Sequence, residues 1–282
     1  MQKEGVGLYL YCLYRGGNSL PVRGRTQTGI PELVGIDGDH KVFTLFKGDI
    51  HAALSLVPLQ EFGPRALEQR MGDVEWVAPR VLIHERITEE FMAAYPVMPF
   101  RFGTIFASGD RIDELLKSNQ AKIIRFFSEI GDKEEWEVKG YMNGSRLEGA
   151  LKQGHPALGA VEATLREGSP GQAYLLKKKG DLAIKDGLNG KMAEITEEVF
   201  QGLLGHAVKG VSNKALQLEK GEEKKEMVLT AAYLVSKDDV RSFLGCVRDT
   251  EERYRRYGLT LSVTGPWPPY NFCPVLNQIV PS

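Results

Sequence analysis

The segment from Leu259 to Phe272 constrains the fold more than any other part of the chain. Leu259, Leu261 and Val263 alternate with Thr260, Ser262 and Thr264, the period-two pattern of a strand with one buried and one wetter face. The string Gly265-Pro266-Trp267-Pro268-Pro269-Tyr270-Asn271-Phe272 then ends the strand. Prolines give no amide hydrogen to a ladder and fix their backbone, so the chain leaves the sheet as a stiff extended arm. The arm carries Trp267, Tyr270 and Phe272. Those rings either cover the protein's own core, the usual fate of large aromatics, or form a contact face for a partner.

A length of 282 residues suits two domains. With 42% hydrophobic and 26% charged residues, the chain can bury two ordinary cores without staples. A formal charge of −1 argues against generic binding to nucleic acid or an anionic membrane. The three cysteines, Cys12, Cys246 and Cys273, are widely spaced and outside any CxxC motif, which fits a reducing cytoplasm better than a disulfide framework or zinc site. The apolar run before Arg15 is short for a signal-peptide core and reads as a first strand.

Val6–Tyr14 is β-rich, and Asn18–Thr28, near Arg15, Arg23 and Arg25, reads as a loop. Lys41–Phe46 and His51–Val57, separated by a glycine-containing turn, suit a hairpin. From Glu61 to Tyr95 the period becomes helical, with Ile83, Ile87, Phe91 and Ala94 on one stripe and Pro79 marking a start or kink. Val97–Phe102 reads as a strand. A helix follows, capped near Ser108 and striped by Ile112, Leu115, Leu116, Ile123, Phe126, Phe127 and Ile130. Trp136–Met142 returns to period two and is expected to close the first sheet.

The glycine-rich stretch Asn143–Pro170, with short helices suggested by Leu147, Leu151, Leu158, Val161 and Leu165, marks a boundary. The chain is therefore expected to form an α+β domain over 1–142 and a second over 143–282, each an antiparallel sheet with helices, the second ending in the arm. In the second, Met192, Ile195, Val199 and Leu203 form a helix whose start is blurred by Gly180, Gly187 and Gly190. Val211–Leu218 and Met227–Val235 flank a charged turn from Glu219 to Lys225, and Val240, Phe243, Leu244, Val247 and Tyr254 follow at helical spacing. Helix, hairpin, helix and strand are compatible with a ferredoxin-like split βαβ arrangement.

Catalytic and cofactor motifs fail one by one. His84-Glu85 resembles the start of a metalloprotease helix, but Thr88 stands where the second histidine is required. His40, His51, His84, His155 and His206 have no ligand spacing and read as structural or surface residues. Gly5-Val6-Gly7 precedes a strand instead of linking a strand to a helix, and Gly103-Thr104 lacks a phosphate-cradling lysine. The adjacent acids Glu89-Glu90 and Glu134-Glu135 read as solvated charges, as do Lys177-Lys178-Lys179 and Glu222–Lys225. Arg101, between Phe100 and Phe102, must reach solvent, find a carboxylate or serve an interface. No enzyme, metal or cofactor is expected.

Six strings in series resemble a known family. They are Val57-Pro58-Leu59-Gln60-Glu61-Phe62-Gly63, His84-Glu85, Met98-Pro99-Phe100-Arg101-Phe102-Gly103-Thr104-Ile105-Phe106, Glu135-Trp136-Glu137-Val138-Lys139, Gln172-Ala173-Tyr174-Leu175-Leu176-Lys177-Lys178 and Thr264–Phe272. Together they resemble the gas vesicle accessory proteins of the GvpF/GvpL type. The chain departs from that pattern at Phe100, at Glu137 and in the loop from Arg15 to Thr28. The resemblance implies a cytoplasmic, non-enzymatic protein of the gas vesicle, a minor component or assembly factor. It implies binding to the small hydrophobic shell protein of the GvpA type, limiting its aggregation during vesicle nucleation, alongside other gas vesicle accessory proteins. Arg101, Trp267, Tyr270 and Phe272 are the candidate shell-protein contacts, being residue types common at interface centres. The competing reading is a small-molecule-binding or enzymatic α+β protein with its ligand between the domains.

Overall fold

A computed structural model describes residues 5–16, 32–154, 170–213 and 225–277. The expected loop Asn18–Thr28, the segment holding His155, Leu158, Val161 and Leu165, and the charged turn from Glu219 to Lys224 lie outside them. By internal contact the chain divides into one unit of Met1–Lys133 with Trp267–Ser282 and another of Glu134–Pro266. The division expected at 142/143 cut the chain once, whereas this grouping returns the arm to the first unit.

The first unit is built on β1 (Val6–Arg15), β2 (Phe43–Lys47), β3 (Ile50–Pro58), β4 (Val97–Pro99) and β5 (Ile105–Phe106). The strand order is β2-β3-β1-β4, with β5 also on β1, and these pairings are antiparallel. The β2–β3 hairpin turns at Gly48, whose φ of 58° a side chain would resist. In central β1 the register shifts between Leu10 and Cys12. This bulge lets Tyr9, Tyr11, Cys12 and Tyr14 all join one core cluster with Ala53, Val57, Ile87 and Phe91. Leu10 opposes Leu54, and Leu13 opposes Met98, on the other face.

The helices of this unit are α1 (Leu59–Phe62), α2 (Pro64–Arg70), α3 (Val74–Met92), α4 (Gly109–Ser118) and α5 (Gln120–Ile130). The single helical stretch expected over 61–95 is thus three pieces. Asp73 starts α3 by accepting bonds from the Glu75 and Trp76 amides, while Pro79 lies inside the helix. The buried residues of α3 are Trp76, His84, Ile87, Thr88 and Phe91, whereas Ala94 is exposed. The expected apolar stripe is thus replaced by a mixed one, possible because its polar members are hydrogen-bonded.

The helix expected from Ser108 to Ile130 breaks at Asn119, whose buried amide bonds the Leu115 carbonyl. Ser108 occupies the N-cap position but makes no side-chain cap bond. Ile112, Leu115, Ile123, Phe126, Phe127 and Ile130 are buried as the stripe requires. Val97–Phe102 is strand only to Pro99. Beyond it the chain turns, with the Thr104 amide bonding the Arg101 carbonyl and Gly103 at φ 83°.

The second unit contains β6 (Lys133–Asn143), α6 (Gly144–Gly154), α7 (Pro170–Leu204), β7 (Lys209–Asn213), β8 (Lys225–Ser236), α8 (Val240–Tyr254) and β9 (Leu259–Trp267). Its four-stranded sheet has the order β7-β8-β6-β9, and β7 pairs antiparallel with β8. The expectation that Trp136–Met142 closes the first sheet is therefore corrected, because β6 is an inner strand of the second. Its alternation fixes a strand but cannot name the neighbours. The glycines at 180, 187 and 190 do not interrupt α7. The core gathers Val138, Met142, Ile195, Val199, Leu203, Leu229, Tyr233, Phe243, Val247 and Leu259. Glu135, expected to be solvated, is 3% exposed.

Candidate functional site

His84 lies on the inner face of α3 one turn before Thr88, whose hydroxyl donates to the His84 carbonyl at 3.0 Å. Its imidazole is fully buried. The Phe100 carbonyl can only accept and lies 3.0 Å from Nε2, so Nε2 carries the ring proton. Nδ1 must then accept, and the Tyr9 hydroxyl donates to it at 2.9 Å. The Tyr9 oxygen in turn accepts the Gly103 amide at 3.0 Å.

Tyr270 reaches the same point from the arm. Its oxygen stands 3.1 Å from His84 Nε2, while its proton goes to Glu85 Oε1 at 2.9 Å. The result is a one-way chain of donors from Gly103 through Tyr9 to His84, and from His84 through Tyr270 to the Glu85 carboxylate. Rings enclose it. Tyr9 and Tyr11 have centroids 4.8 Å apart, and Phe102 meets His84 edge-on at 6.2 Å.

Burial sets the electrostatics of this cluster. It holds the His84 imidazole down to about 4, against the Phe100 carbonyl, which favours the charged ring. It pushes the Glu85 carboxyl up, against the Tyr270 hydroxyl bond that favours the carboxylate. The Tyr9 and Tyr270 hydroxyls are raised by the same desolvation. With both ring nitrogens committed, a neutral His84 fastens the structure and has no lone pair free for a ligand. The described residues contain no group of three or more His, Cys, Asp or Glu able to hold a metal ion. The amide of Gly103, once a possible anion donor, is committed to Tyr9.

The arm has a second fastening. The Asn277 amide donates to Asn119 Oδ1 at 2.7 Å, and Asn119 Nδ2 returns a bond to the Asn277 carbonyl at 3.3 Å. Lys122 Nζ donates to the Val275 carbonyl at 2.8 Å and to Asn277 Oδ1 at 3.0 Å. Trp267–Asn277 is thus pinned to α3 at one end and to the α4–α5 break at the other.

The four residues singled out from sequence take different places. Arg101 is exposed in the turn after β4, and its carbonyl accepts the Thr104 hydroxyl at 2.7 Å. Trp267 is 39% exposed, and Phe272 is half-buried. Tyr270 is committed to the His84–Glu85 cluster. The structure therefore brings the Arg101 turn and the arm together, since the Phe100 carbonyl and the Tyr270 hydroxyl share one histidine nitrogen. The sequence offered His84-Glu85 as a failed metal motif and as one of the six family strings, and neither reading named its hydrogen-bond partners. The polar pair His84 and Thr88, one turn apart beside Ile87, was the available signal that the inner face holds a hydrogen-bonded network.

The family described as gas vesicle synthesis protein GvpL/GvpF matches residues 7–274. Gas vesicle protein L of Streptomyces sp. (strain CB03234) is 25% identical over 233 residues, covering 83% of each chain. Gas vesicle protein L of Haloferax mediterranei is 26% identical over 208 residues, covering 72% of this chain and 64% of the relative. The crystal structure of GvpF from Anabaena sp. PCC7120 superposes with a TM-score of 0.72 at 17% identity, covering 96% of this chain and 99% of that one. That likeness establishes the shared α+β fold. No helix among the described residues is long and apolar enough to cross a membrane. With nearly its whole length matched, the chain belongs to the gas vesicle synthesis protein GvpL/GvpF family.

Proposed function

We propose that this protein is a cytoplasmic assembly factor of the gas vesicle that binds the small hydrophobic shell protein and limits its aggregation before and during vesicle nucleation. The observation that carries the reading is the convergence of the arm and the Arg101 turn on His84, with Trp267 and Arg101 left exposed beside that fastening. A shell subunit awaiting assembly exposes apolar surface, and a transient binder needs aromatic and guanidinium groups held on a rigid base. In this reading Tyr270 and His84 position the arm. Trp267 and Arg101 make the contact, and Phe272 is half-buried within the same arm.

The test is co-expression with the small shell protein from the same source, reading co-purification and shell-protein solubility against a control without bait. Specific recovery that falls in Trp267→Ala and Arg101→Ala variants supports the proposal. No recovery with a folded bait refutes direct binding. Unchanged recovery with both folded variants refutes this contact face.

A further inference from the structure

Helix α3 has a second line of side chains that stands exposed among the described residues. Val74 is 74% and Leu82 70% exposed, and Glu75, Ala78, Pro79 and Arg86 between and beyond them are exposed as well. Glu75 and Arg86 make no ion pair among the described residues, in contrast to Arg80 on the inner side, which pairs with Glu61 at 2.8 Å. The outward face is therefore a short apolar strip with an unpaired acid near the helix start and an unpaired base eleven residues later, about 16 Å along the axis.

We propose that this face of α3 pairs antiparallel with the same face of a second copy of the chain. A two-fold axis crossing the helix between Arg80 and Val81 sets each residue against the one whose number completes a constant sum. Glu75 then meets Arg86 of the second copy, twice over by symmetry. Leu82 lies against Pro79 of the second copy beside Ala78, whose small side chain permits close approach. The charge order selects this occupant. An acid-to-base sequence along one helix is complementary to its own reverse, and a parallel copy would set like charges together. One helix face gives a contact below about 1,200 Å², so the pairing is weak and concentration-dependent. It is independent of shell-protein binding.

Sedimentation velocity of the full chain over a wide concentration range tests this, with circular dichroism confirming that each variant is folded. The expected result is reversible monomer–dimer behaviour, abolished by Leu82→Glu and weakened about ten-fold by Glu75→Arg, which replaces two attractive pairs with two repulsive ones. The double variant Glu75→Arg with Arg86→Glu restores association, because the pairs reform with reversed sign. A monomer at every concentration overturns the proposal, as does dimerisation that survives Leu82→Glu or charge reversal without rescue. Loss of binding to another macromolecule in these variants, with no self-association in the native chain, also overturns it.

Discussion

Acidification acts on the first unit through His84. An unfolded chain protonates this imidazole near 6.5, but the folded chain resists until about 4 because burial disfavours the cation. Between those values the unfolded state binds a proton that the folded state refuses. The stability His84 contributes is thus fully present above about pH 6.5 and drains away as pH falls toward 4. At about 1.4 kcal/mol per unit, the loss over that window is about 3 kcal/mol. Glu85 works in the opposite sense. Its carboxyl is raised by burial, so the folded state favours that proton and recovers part of the loss on acidification. Tyr9, Tyr11 and Tyr270, the other titratable groups facing the ring, are raised and stay protonated throughout. His84→Gln isolates the effect, since it keeps an amide donor for the Phe100 carbonyl but cannot titrate. Amide exchange of the β1 residues Tyr9–Tyr14 reads this unit separately from the second. The native protein should lose about 3 kcal/mol more protection than the variant between those pH values. Equal pH slopes for the two proteins would refute the reasoning. Any change in the Tyr9 hydrogen bond in the variant acts equally at every pH in this range, since neither partner titrates there, and cancels from the slope.

Tyr270→Phe removes the donor to Glu85 and should cost about 1–2 kcal/mol, seen as faster proteolytic cleavage within Trp267–Asn277. An arm that stays equally protected refutes the fastening. Gly103→Ala should destabilise by about 1–2 kcal/mol in urea, because φ is 83° while the added methyl meets only Leu67 Cδ1 at an ordinary 3.4 Å. A neutral result would mean that the turn relaxes. Cys12 is fully buried and its thiol is raised by desolvation, so a thiol reagent should label it only on unfolding. Cys246 and Cys273, both part-exposed, should react first; early labelling of Cys12 contradicts a closed β1 core.

Much of the local structure was legible. The alternation in Leu259–Val263, the hairpin around Gly48 and the apolar stripe of α4 and α5 all appear where the sequence puts them, because side-chain period and turn chemistry are short-range properties. The family, too, could be recognised from six short strings. Two positions show where such reading stops. Asn119 divides a helix that its apolar stripe makes continuous, because its side chain bonds Leu115 and a residue 158 positions away. His84 looked like half of a missing metal motif until Tyr9, Phe100 and Tyr270 were seen to use both its nitrogens. The sequence by itself determined where most strands and helices lie and the inward stripe of α4 and α5, whereas the inward face of α3, with His84 and Thr88 in it, depended on partners distant in the chain. Only the tertiary structure decided that β6 belongs to the second sheet and that the arm returns to α3, since strand partners and hydrogen-bond acceptors distant in the chain leave no local periodic mark.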